Sequence, residues 1–189
     1  DDSKDMKNYL LEGEKAALAM NNRGPISFDG QGNLAASIRN AYSENGFYIF
    51  EGVLNKDELD DIKVDLDKMR SNFPIHPESS VDINGEPALG VDSKALTLVW
   101  SKPLGDPLGG TDLANGRHQI KMFEPKAAED SPVASPFILL GSLQFSEACL
   151  RTYAHPELLK VAESINGKDF APFNEALFIK EPGIGAAVS

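Results

Sequence analysis

The spacing of apolar residues changes period several times along the 189 residues of this chain. From 3 to 21, Leu10, Leu11, Ala17, Leu18 and Met20 stand among charges, and Asn21-Asn22-Arg23-Gly24-Pro25 follows as a stop. That pattern predicts a helix with a weak apolar stripe, a peripheral arm. Leu34 to Asn45 predicts a second helix, with Ile38, Ala41 and Tyr42 at helical spacing and Asn45-Gly46 as its end. Phe47-Tyr48-Ile49-Phe50 is aromatic and β-branched, which predicts a strand. Asn55-Lys56-Asp57-Glu58 is then a strong helix start, because Asn55 can cap and Glu58 can reach back to the cap amide. Behind it Leu59, Ile62, Leu66 and Met69 form one helical stripe expected to be buried. The acidic residues between them read as a solvated face, since they lack the glycine and alternating ligands of a calcium loop.

The period lapses from 71 to 117, where prolines and glycines from Pro74 to Gly110 predict a long loop or lid. Ala95 to Trp100 is the apolar island inside it, a short strand or an anchor. His118-Gln119-Ile120-Lys121-Met122-Phe123 alternates and predicts a strand with Gln119 and Lys121 on one face. A one-residue slip would present His118 instead. Ser146 can cap a helix containing Ala148, Cys149 and Leu150, and Pro156 opens another that Asn166-Gly167 closes. The last strand sets Phe173, Glu175, Leu177 and Ile179 on one face and Asn174, Ala176, Phe178 and Lys180 on the other. Apolar residues on both faces imply cover on both sides, and the polar insertions then need partners. Glu181-Pro182-Gly183-Ile184 predicts a type II turn. Helices and strands fall in separate runs without a βαβ rhythm, so the expected class is α+β with a mainly β core.

Composition narrows the partners. With 41% apolar residues the chain can bury a real core in one domain, residues 1–33 forming a helical arm before it. A single cysteine, Cys149, excludes a disulfide framework and a cysteine-rich zinc site and suits a reducing cytosol, so a cytoplasmic location is expected. The net charge of -11 argues against nucleic acid or an anionic membrane as partner. A small anionic substrate met by a local basic pocket remains compatible with it. No apolar run approaches the ~20 residues of a membrane span. Position 1 is Asp, not Met, which implies a processed or chosen boundary.

Familiar catalytic spacings are missing: there is no HExxH, nucleophile elbow, Walker loop or CxxC. His76 reads as a loop histidine, His155 as a boundary residue before proline, and Cys149 as core.

A resemblance carries the rest. Asn174-Glu175-Ala176-Leu177-Phe178-Ile179-Lys180-Glu181-Pro182-Gly183 resembles the strand and turn before the iron site in the phytanoyl-CoA dioxygenase family, non-haem Fe(II)- and 2-oxoglutarate-dependent oxygenases. The helix, Asn45-Gly46, the aromatic strand and Gly52-Val53-Leu54 resemble the family's opening, and Tyr153 to Gly167 its helix before that strand. The resemblance spans roughly residues 34 to 189. It implies a double-stranded β-helix (a jelly-roll, cupin-like barrel) with N-terminal and flanking helices. Residues 34–189 would be the N-terminal portion of a single oxygenase domain, the barrel being incomplete in this chain. Strands around 47–51, 118–123 and 171–180 would share that barrel.

The implied cofactors are Fe(II) and 2-oxoglutarate, and the implied activity is hydroxylation of a small molecule or acyl thioester. Gln119, Lys121 and Asn174 would contact the keto acid, while Phe178 and Lys180 would line the substrate pocket. A carboxylate in a dry pocket needs a cation or several donors, which makes Lys121 apt, although a surface lysine on an edge strand is the competing reading. The family's His-x-Asp pair, later His and Arg find no counterpart before Ser189, so the 189-residue chain is expected to hold no catalytic residue or iron ligand and to be inactive alone. The other function class is a non-catalytic small-molecule-binding module on a degenerate barrel.

Overall fold

The structure, a computed structural model, describes residues 2–104 and 127–185. In chain order it forms α1 (Asp2–Leu18), β1 (Arg23–Gly24), α2 (Ala36–Asn45), β2 (Ile49–Phe50), α3 (Lys56–Ser71), β3 (Leu98–Ser101), β4 (Ser135–Leu140), α4 (Ser142–Phe145), α5 (Glu147–Tyr153), α6 (Pro156–Asn166) and β5 (Ala176–Phe178). Helix and sheet are mixed, as expected. Two compact units emerge: Asp1–Leu59 with Ala154–Ala171, and Asp60–Tyr153 with Pro172–Ser189.

In the first unit, Leu34, Ile38 and Val161 are buried together, with Ile26, Phe28, Ala35, Tyr48 and Phe50 packed against them. α2 and α6 therefore meet through apolar side chains. α2 stops where Gly46 takes φ 81 and donates its amide to the Tyr42 carbonyl, a left-handed C-terminal cap that glycine adopts without strain. The Lys160 ammonium lies 4.4 Å from the centre of the Phe28 ring, a cation–π contact. β1 and β2 form a two-residue parallel pair, Arg23 opposite Ile49 and Gly24 opposite Phe50.

The second unit holds the order β3-β4-β5, antiparallel throughout. Its register slips between Val99 and Trp100, opposite Pro136. Pro136 has no amide to donate, and a bulge is where a sheet tolerates that loss. Met69 of α3, Leu98 and Leu139 are buried as one cluster, joined by Phe73, Trp100, Cys149, Leu177 and Ile179. Cys149 thus sits beside core residues, as expected. Phe137 and Ile138 form a further cluster with Val99, Leu140 and Ala176.

Both units contain the same small turn. Phe28 bridges Leu34 around Asp29, and Val81 bridges Pro87 around Asp82. Asp29 Oδ1 accepts from the amides of Gln31 and Asn33 at 2.9 Å each. Asp82 Oδ1 accepts from those of Asn84 at 2.7 Å and Glu86 at 3.0 Å. Gly32 and Gly85, three residues after each aspartate, take φ 83 and 80. Short carboxylates bind the backbone ahead of them and glycine supplies the positive φ, so two different sequences close alike. Much of the expected loop between 71 and 98 is built on this turn and on Leu89, whose amide donates to the Asn72 carbonyl.

Two expectations are corrected. The strand at 47–51 does not join the sheet that holds 171–180; only Ile49–Phe50 is extended pairing, and its partner is β1. The amides of Ile49 and Glu51 are taken by the carbonyls of Asn22 and Gly24, which leaves them no other strand to bond. The sheets of the described residues have two and three strands and close no barrel, the expected barrel being an incomplete one. Along α3, only Met69 of the four-residue stripe is buried, Ile62 is half-buried, and Leu59 and Leu66 are exposed. Asp65 is half-buried instead, because it bonds the start of α5.

Candidate cofactor and substrate site

The chain from Asn174 to Ile184 is the stretch on which the expected site depends. Its strand is shorter than the alternation predicts. Asn174 Oδ1 accepts from the Glu175 amide at 2.8 Å, a local bond that takes this donor from any ladder. Pairing begins at Ala176 opposite Leu140, continues through Leu177 opposite Leu139, and reaches Phe178 opposite Ile138. The Ile179 amide then donates to the Phe137 carbonyl at 2.8 Å. Leu177 and Ile179 face the Met69–Leu98–Leu139 cluster, so theirs is the packed side. Phe178 meets Phe137 edge to face, with ring centres 5.7 Å apart, and stays 57% exposed.

Of the polar insertions, half-buried Glu175 finds a side-chain partner, while Asn174 and Lys180 are exposed. Glu175 Oε2 accepts from the buried Ser142 Oγ at 3.0 Å, tying β5 to the first residue of α4. Beyond the strand, Ile184 donates to the Glu181 carbonyl at 3.3 Å and Gly183 takes φ 77, the predicted type II geometry with Pro182 leading. Arg70, in the last turn of α3, forms an ion pair with Glu181. The Leu104 amide donates to the Ile184 carbonyl at 3.1 Å, so the turn is held from two directions.

Of the sequence-predicted site residues, Asn174, Phe178 and Lys180 are all exposed. Gln119 and Lys121, with the strand 118–123 and His118, lie outside the described residues. Glu175, Ser142 and Arg70, which carry the bonds here, were not singled out. Ser142 and Arg70 meet their partners across 33 and 111 positions of sequence, and neither lies in a motif.

A second polar cluster lies where α3 meets α5. Asp65 Oδ2 accepts from Ser146 Oγ at 2.7 Å and from the Ala148 amide at 3.1 Å, while Ser146 Oγ accepts from the Cys149 amide at 2.9 Å. Ser146 caps α5 as predicted, and a carboxylate reinforces the cap. The Ser146 hydroxyl, the Ala148 amide and more distant Lys68 and Arg151 hold the Asp65 pKa below the usual aspartate value. Arg151 also pairs with Asp61 at 2.9 Å.

An iron site is not formed by these residues. No group of three or more His, Cys, Asp or Glu side chains that could hold a metal occurs among the described residues. His76 lies 3.3 Å from Glu78, both exposed, and His155 stands at the N-terminal boundary of α6 without capping it. Among the described residues no helix is long and apolar enough to cross a membrane. No family model, no curated protein and no solved structure matches the chain.

Proposed function

We propose that this chain is the N-terminal portion of an Fe(II)- and 2-oxoglutarate-dependent dioxygenase of the phytanoyl-CoA dioxygenase type, a cytoplasmic hydroxylase of a small molecule or acyl thioester. The observation that carries the reading is the strand and turn from Ala176 to Ile184. Its sequence resembles the segment before the family's iron site, and it adopts an antiparallel strand followed by a Pro-Gly turn. The finer fold proposed is a double-stranded β-helix to which β3, β4 and β5 contribute three antiparallel strands. Since no group of three or more such ligands occurs among the described residues, the complete iron-binding set of such an enzyme would have to draw on residues outside them.

The part given to this chain's own residues is positioning. Arg70 and Glu181 fix the turn from α3, and Ser142 and Glu175 fix the start of β5 from α4. Asn174 and Phe178 are assigned to the keto-acid and substrate side, with Lys180 at the turn and Gln119 and Lys121 on the distal carboxylate. The test is release of succinate from 2-oxoglutarate by the full-length protein with Fe(II), alongside keto-acid binding. Turnover supports the oxygenase. Small-molecule binding without any succinate transfers the assignment to the non-catalytic module. If Asn174→Ala and Phe178→Ala leave both binding and turnover unchanged, the chosen strand face is wrong.

A further inference from the structure

Two apolar features of the first unit lack cover, and they suit each other. Every residue of α1 from Lys4 to Leu18 is exposed. Met6, Tyr9 and Leu10 recur at i, i+3 and i+4 and are 58%, 74% and 60% exposed, with Gly13 and Ala17 continuing the same face. An isolated helix of this length is marginal in water, and an internal glycine weakens it further. Such a helix needs a surface. The same unit offers a cleft of about 420 Å³ walled by Ile38, Tyr42, Phe47, Tyr48, Phe50 and Ile165. Its lining is mostly apolar, and Arg39 is the charged side chain among the described residues there. Among the described residues, none of α1 lines it.

We propose that this cleft receives α1 of a second copy of the chain, Met6, Tyr9 and Leu10 entering between Tyr42, Phe47 and Ile165. This is helix-in-groove recognition, in which anchors at i, i+3 and i+4 fill an apolar trough. Gly13 has nothing within 4 Å of where a Cβ would stand, and with Ala17 it lets the helix approach closely. Glu12 and Glu14 border the stripe on either side, opposite in charge to Arg39. A twofold arrangement makes the contact twice, which is how a closed dimer gains area from one such groove. The proposal is independent of the oxygenase reading.

Two experiments on the full chain decide it. In sedimentation velocity across a concentration series, a dimer is expected whose Kd rises at least about tenfold with Leu10→Glu and with Tyr42→Glu. Both positions are exposed, so circular dichroism of the variants should match the parent. A chain that stays monomeric throughout, or a dimer indifferent to both substitutions, overturns the proposal. In a Cys149→Ser background, chains bearing Leu10→Cys are then mixed with chains bearing Tyr42→Cys and oxidised. A disulfide-linked heterodimer is expected, far exceeding that from a Lys4→Cys control away from the Met6–Tyr9–Leu10 stripe. Equal yields from the two, or a doubly substituted chain that closes on itself as a monomer, overturn it.

Discussion

At the scale of single residues, Gly90 and Asp65 show how backbone and charge constrain the second unit. Gly90 takes φ 78, and a Cβ there would lie 2.8 Å from the Thr97 Cβ and 2.7 Å from its Cγ2. Gly90→Ala therefore meets both left-handed strain and a clash with the Thr97 side chain, which would have to shift. It is expected to destabilise the chain by about 1–3 kcal/mol, read from the midpoint of urea unfolding. Asp65 acts through charge. Its folded pKa lies below the unfolded value of about 3.9, because the Ser146 hydroxyl first and the Ala148 amide second bond the ionised form. A lowered folded pKa means the contribution is fully present above the unfolded pKa and is lost as pH falls through the folded one. Asp65→Asn should thus unfold at lower denaturant than the parent at pH 7. The gap should hold down to about pH 5 and shrink below about pH 4. A gap that stays constant down to pH 2.5 would remove the carboxylate from the cap.

At the scale of elements, α3 was readable in the sequence at its start and misread along its length. Glu58 donates its amide to Asn55 Oδ1 at 3.0 Å, and the Asn55 amide donates to Glu58 Oε2 at 2.8 Å, the reciprocal capping box its four-residue motif predicts. Asn55→Ala is expected to cost about 1 kcal/mol, and Glu58→Ala less, measured as shifts in thermal midpoint at pH 7. The glycine and proline signals at Gly46, Pro156 and Gly183 were legible for the same reason: each depends on atoms within a few residues. The buried side of α3 was not legible. Periodicity names a stripe, but Asp65 turns inward because Ser146 and Ala148 lie more than eighty positions away. Strand partners fail similarly. Alternation identified 173–180 as extended, yet the Asn174 side chain shortened it, and nothing local to Ile49 marked Arg23–Gly24 as its partner. The matching turns at Asp29 and Asp82 are not legible as a pair in the sequence, because they share an aspartate–glycine spacing rather than a repeat.

At the scale of the whole molecule, the oxygenase reading and the residues in hand make a joint demand on iron. A facial triad needs two histidines and a carboxylate converging on one point. Among the described residues, His76 has Glu78 within 3.3 Å but both are exposed in a loop, and His155 sits at the boundary of α6. No third ligand joins either. The fold does bring the strand, the Pro-Gly turn and the two tethers of that turn together. On the oxygenase reading, whose family motif His-x-Asp finds no counterpart before Ser189, the 189-residue chain, its intact mass verified, is expected to take up no stoichiometric Fe(II) in an anaerobic titration with 2-oxoglutarate present. The full-length protein should bind one equivalent at micromolar concentration and lose it to a chelator. Stoichiometric micromolar binding by the 189 residues alone would mean that another ligand set exists within them, and the assignment of the iron site to residues outside them would fall. Failure of the full-length protein to bind would instead remove the oxygenase and leave a module that holds its ligand without metal.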